Sequence, residues 1–61
     1  MSGKYELTAD RSGGYVFKLK THSGEVLMTS ESYQTKAAAL KGIEVVKADA
    51  KGKVVDLTEP Q

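Results

Sequence analysis

The side chains that could do chemistry are few and fall in four places. His22 is the single histidine. As a general base it would need an orienting carboxylate and a nucleophile or substrate pocket within reach. Only Glu25 is close in sequence, across the same turn, so His22 reads as a solvated residue at a hairpin tip. Ser30-Glu31-Ser32-Tyr33 gathers hydroxyls and a carboxylate ahead of a helix. Such a run could hold an anion or substrate at the helix N-terminus. The preferred reading is structural: the hydroxyls cap backbone groups and Tyr33 covers the core edge, with Glu31 and Tyr33 retained as tentative partner contacts.

Ser12-Gly13-Gly14 lacks the lysine and the downstream helix of a phosphate loop, and a strand pattern follows it, so it is a turn. Lys18 and Lys20 share one face of a strand with Val16, and the expected pairing adds Val26 and Met28 to that face. Lysines on phosphates with bases stacked beside them are how single-stranded nucleic acid is held. The stacking aromatics are missing there, because Tyr5, Tyr15 and Phe17 alternate to the opposite face. Val16, Lys18, Lys20 and Met28 therefore read first as a solvated surface or a protein contact, and second as a nucleic-acid face. No catalytic, cofactor-binding or metal-ligating set can be assembled, since one histidine and no cysteine cannot build a zinc site.

The elements that must position these residues are short. Sixty-one residues make one domain with an ordered core over about 4–57. A chain of that size buries only about 60% of its unfolded surface, so a lone core is marginal and needs staples or partners. Disulfides are excluded, which leaves tight packing or self-association, and self-association is favoured. Nine basic and eight acidic residues give a net charge of +1, so no strong field selects nucleic acid or a membrane. No apolar run has transmembrane length, and MSGKYELTADR has no apolar export stretch, so the cytoplasm is the expected location.

Lys4 to Ala9 alternates, with Tyr5, Leu7 and Ala9 on one face, and so does Tyr15 to Thr21, with Tyr15, Phe17 and Leu19. Pairing Ala9 with Tyr15 across the Asp10–Gly14 turn sets Leu7 opposite Phe17 and Tyr5 opposite Leu19. A second hairpin turns at His22-Ser23-Gly24. A two-residue turn would ask Ser23 for positive φ, so a three-residue loop with a Gly24 bulge is preferred. That loop pairs Leu19 with Leu27 and buries Leu27; the two-residue turn would exchange Leu27 for Val26 and Met28.

TKAAALKGIEVVKADA, residues 35–50, is the one confident helix, N-capped by Thr35 and stopped by Lys51 and a left-handed Gly52. Its apolar stripe is Ala39, Leu40, Ile43, Val46 and Ala50. Gly42 within it costs about 1 kcal/mol relative to alanine, as tolerated imperfection or as room for another backbone. Tyr33 is expected over the first helical turn. Lys53-Val54-Val55-Asp56-Leu57 then reads as a fourth strand, completing a β-β-β-α-β domain of the α+β class.

Three blocks, Gly14 to Lys20, Gly24 to Glu31 with Tyr33, and Gly42 to Lys47, resemble the YegP-like family of small bacterial domains of unknown function. Members of that family occur as single units or tandem pairs. The resemblance implies a three-strand, helix, strand motif, two copies of which join into a single sheet and exchange C-terminal strands. For a chain with one motif it implies a homodimer, with Val54, Val55 and Leu57 as dimer contacts. Ser23 departs from the asparagine frequent at that turn. The resemblance brings no activity. The function expected is that of a non-enzymatic homodimeric protein-interaction module, with a weak nucleic-acid binder using Lys18, Lys20 and the helix lysines as the alternative.

Overall fold

A computed structural model describes residues 2–58. Strands β1 (Lys4–Ala9), β2 (Tyr15–Lys20) and β3 (Val26–Thr29) precede one helix, α1 (Lys36–Asp49). The sheet is antiparallel in the order β1-β2-β3, and α1 lies across one face against the central strand. The α+β class is the expected one.

Both hairpins turn by the same device. Asp10 N–H donates to the Gly14 carbonyl at 2.9 Å, Gly13 N–H donates to the Asp10 carbonyl, and Gly13 takes φ 88°. In the second, Thr21 N–H donates to the Glu25 carbonyl at 2.8 Å, Gly24 N–H donates to the Thr21 carbonyl, and Gly24 takes φ 95°. Each is a three-residue loop whose last residue must turn left-handed, which glycine does without steric penalty. The first hairpin has the expected register throughout, with Leu7 opposite Phe17 and Tyr5 opposite Leu19.

The second hairpin keeps the expected loop and loses the expected register. Lys20 pairs with Val26, but Leu19 pairs with Met28, so Leu27 is an extra residue in β3. Met28 therefore shares the inner face with Leu19, while Leu27 is 61% exposed. This corrects the burial of Leu27 and removes Met28 from the outer face. Beyond β3 a second residue is inserted: Ser30 N–H donates to the Phe17 carbonyl, then Tyr15 and Tyr33 exchange both backbone bonds at 2.8 Å. The two insertions bring Tyr33 round to the inner face.

That face holds a very small core. Phe17 is 1% exposed and, among the described residues, only Ala39 and Ile43 join it as buried hydrophobic side chains. The Tyr33 ring stacks on Phe17 at 6.0 Å and 14°, and Tyr5 meets Phe17 edge-on at 6.2 Å. Gly42 is explained by the same cluster. A Cβ there would stand 2.6 Å from Tyr33 Oη and 3.1 Å from Phe17 Cε2, so rings, rather than another backbone, require the glycine. Tyr33 thus packs on the middle of α1, beyond the first turn expected for it.

Thr35 caps α1 as expected, its Oγ1 accepting from Ala38 N–H at 3.0 Å. Two details of the helix differ. Leu40 and Ala50 are exposed, because the stripe that faces β2 runs through Ala39, Gly42, Ile43 and Val46. Gly52 has no positive φ; its N–H closes a final turn on the Asp49 carbonyl at 2.9 Å. Residues 53–58 leave the helix with no strand formed in the single chain. The Cα radius of gyration is 14.0 Å, against about 10 Å for a compact chain of this length.

Candidate functional site

Asp10 organises the end of the sheet nearest the helix N-terminus. Its Oδ1 accepts from Ser12 N–H at 2.9 Å, Ser12 Oγ at 2.7 Å and Gly14 N–H at 2.9 Å, and its Oδ2 accepts from Ser32 Oγ. Aspartate at the first position of a tight turn folds back on the N–H groups that follow; the Ser32 bond is what reaches across the fold. It ties the β1–β2 turn to the β3–α1 connection. Gly14 is buried at the junction, where a Cβ would collide with Ser32 Oγ.

An open groove of about 250 Å3 lies beside this knot, lined by Ser12, Gly13, Gly14, Ser32, Tyr33 and Gln34. Hydroxyl donors, the Ser32 hydroxyl first and then that of Ser12 and the Gly14 N–H, hold the Asp10 carboxyl down at about 2. A carboxylate that acidic and already carrying four donors is a poor general base at neutral pH. Asp10 therefore acts as a structural acceptor. Ser30 plays a related part, its Oγ accepting from Phe17 N–H at 2.9 Å where the strand ladder is interrupted.

The residues singled out in the sequence are not brought together. His22 is exposed at the second hairpin tip, and Glu31 is exposed on the β3–α1 connection. Tyr33 is half-buried against Phe17, and Met28 faces inward, so both serve packing. On the outer face Val16, Lys18 and Lys20 remain, but Lys20 Nζ is 2.9 Å from Glu6 and Lys4 Nζ 3.5 Å from the same carboxylate. The hydrogen bond from Lys20, aided by Lys4, keeps the Glu6 carboxyl below its ordinary range. Glu6 thus offsets part of the basic charge of Lys4, Lys18 and Lys20 on that face. Sequence reading passed over both Glu6 and Asp10. The signal for Asp10 was its place two residues before a serine and four before a glycine at the start of a turn.

The most prominent unsatisfied feature is apolar. Val54, Val55 and Leu57 are 92%, 62% and 87% exposed, and Leu40, Val45 and Val26 are exposed as well. More large hydrophobic side chains stand in solvent than lie in the core, which is uncommon for a domain that functions alone. The polar tie in the segment is local, Thr58 donating to Asp56 through its hydroxyl at 2.6 Å and its N–H at 2.9 Å.

A three-stranded sheet under one helix, with a hydroxyl-fastened corner and an apolar tail exposed over residues 54–57, defines a small α+β domain. Residues 10–56 match the family model described as Domain of unknown function (DUF1508), and the chain belongs to that family. It is 44% identical over 50 residues to a UPF0339 protein of Treponema denticola, covering 82% of this chain and 86% of that protein. It is 40% identical over 48 residues to the UPF0339 protein YegP of Yersinia pestis, covering 79% of this chain but 43% of that protein. The chain thus spans less than half the length of some of its relatives. The fold is similar to the NMR solution structure of a protein from Haloferax volcanii, with a TM-score of 0.77, 30% identity, and coverage of 90% of this chain and 95% of that one. The YegP-like resemblance of the three sequence blocks is borne out.

Proposed function

We propose that this protein is a non-enzymatic homodimer that works as a protein-interaction module, each copy completing its sheet with residues 53–57 of the other. The observation that carries the reading is the exposure of Val54, Val55 and Leu57 on a segment without regular secondary structure, in a chain whose buried hydrophobic residues, among those described, are Phe17, Ala39 and Ile43. Full burial is worth about 1.5–3 kcal/mol for each such side chain, a large share of the stability of a domain this small. The lengths of the relatives support it too: some match one unit of this size, and others leave room for a second. The setting proposed is the cytoplasm, on the cysteine-free composition.

If folding and association are linked, melting must depend on concentration. A tenfold dilution is expected to lower the melting temperature by a few degrees, whereas an independent folded monomer melts at one temperature throughout. The second reading is a weak nucleic-acid binder using Lys18, Lys20 and the helix lysines, in which Lys20 would have to leave Glu6, 2.9 Å away. It is tested by the anisotropy of labelled single-stranded DNA and RNA at low salt, where no change is expected.

A further inference from the structure

The face of the sheet turned away from α1 carries a charge pattern that the fold does not require. Helix α1 rests on the Phe17 side, where a Cβ at Gly42 would stand 3.1 Å from Phe17 Cε2. Alternation therefore turns Val16, Lys18 and Lys20 to the opposite side. The register sets Lys4 directly opposite Lys20 and Glu6 opposite Lys18. On the other flank Val26 lies opposite Lys20 and Thr29 opposite Lys18. Like charges directly opposite one another destabilise a strand pair. Glu6 relieves this by reaching past its own partner: one oxygen lies 2.9 Å from Lys20 Nζ and the other 3.5 Å from Lys4 Nζ. Lys18 is left over. It is exposed, and among the described residues no carboxylate stands within ion-pair distance of it.

Three ammonium groups therefore share one carboxylate on this face, although the chain as a whole carries only +1. Val16 is half-buried among them, and Val26 is 48% exposed opposite Lys20. A partner complementary to this face supplies carboxylates for the lysines and small aliphatic groups for the two valines. An acidic protein segment does both. Nucleic acid also supplies anions, but its bases hold to such a face by stacking on aromatic rings. Tyr5, Tyr15, Phe17 and Tyr33 are the aromatic residues of the chain, and all four belong to the inner face.

Resting on the interaction-module reading above, we infer that the outer face of the sheet, centred on Lys18, docks an acidic segment of a partner protein, with Glu6 competing for the same lysines. The probe is a labelled glutamate-rich peptide, two glutamates to each valine, titrated into the full chain at low salt and followed by anisotropy and amide shifts. Binding is expected, weakened about tenfold by Lys18→Ala and tightened about threefold by Glu6→Gln. The shifts should fall at Val16, Lys18 and Val26 and leave α1 unmoved. The same peptide with glutamine in place of glutamate should bind at least roughly tenfold more weakly. Absence of binding, a Glu6→Gln variant that binds no tighter, or shifts confined to the β1 or β3 edge overturns the inference. So does a single-stranded oligonucleotide that binds more tightly than the peptide in the same titration. Mass by light scattering on the same samples keeps the two readings apart. A dimer without peptide binding retires the face and leaves the dimer; a monomer that binds at Lys18 retires the dimer and leaves the face.

Discussion

Ser32 donates its hydroxyl to Asp10 Oδ2 at 2.5 Å, joining two loops that are 22 residues apart in sequence. That bond, with the Tyr15–Tyr33 backbone pair one residue along, fixes where α1 begins relative to the sheet. It also keeps Asp10 ionised, its carboxyl lowered to about 2 from an ordinary 3.8. A carboxyl depressed in the folded state contributes stability that is fully present above its unfolded pKa and is lost as pH falls through the folded one. Stability should therefore decline between about pH 4 and pH 2. In Ser32→Ala the Asp10 titration midpoint, followed by NMR, should rise toward the ordinary value; an unmoved midpoint would show that Ser32 is not the main donor.

Gly42 and Tyr33 supply a sign reversal. Glycine to alanine inside a helix ordinarily gains about 1 kcal/mol. Here the new Cβ would stand 2.6 Å from Tyr33 Oη and 3.0 Å from Cζ. Gly42→Ala is expected to lose about 1–3 kcal/mol through overpacking, and the same change made in a Tyr33→Ala background should return to a gain. Urea unfolding of the four variants measures it; a stabilised single variant would mean that the Tyr33 ring is free to move aside.

The shifted register of β3 separates two neighbours. Met28 is half-buried opposite Leu19, and Leu27 is exposed at the insertion. Met28→Ser should cost about 2 kcal/mol, and Leu27→Ser less than about 0.5 kcal/mol. The opposite ranking in thermal or urea unfolding would restore the unbulged pairing of Leu19 with Leu27.

What could be read in advance follows from how many independent signals agreed. The first hairpin was legible because its turn residues and the two alternating faces demand one register. The helix was legible from Thr35, the alanine run and the spacing of Ala39, Ile43 and Val46. The second hairpin was legible only as far as its loop. A period of two cannot reveal an inserted residue, and two insertions, at Leu27 and before Tyr33, reset which side chains face the helix. Leu40 sits at the margin of its stripe, and its exposure follows from which side of α1 rests on β2, which no periodicity encodes. The corner at Asp10 escaped for a related reason: its partner Ser32 is distant in sequence and becomes a neighbour only after the second insertion has placed it.

The exchange of apolar residues should be selective by face. In the proposed dimer a regular strand over 53–57 would turn Val55 and Leu57 to one side and Val54 to the other, so Val55→Asp is expected to weaken association at least tenfold more than Val54→Asp. Equal effects in sedimentation equilibrium would mean that the segment does not pair as a regular strand.

The most direct measurement is absolute mass by light scattering across a concentration series, for the wild-type chain and for Leu57→Asp. Twice the chain mass for the wild type, falling to a single, less stable chain in the variant, is the predicted result. A wild-type chain that stays single and fully folded at every concentration, with 53–57 still in solvent, would contradict the account.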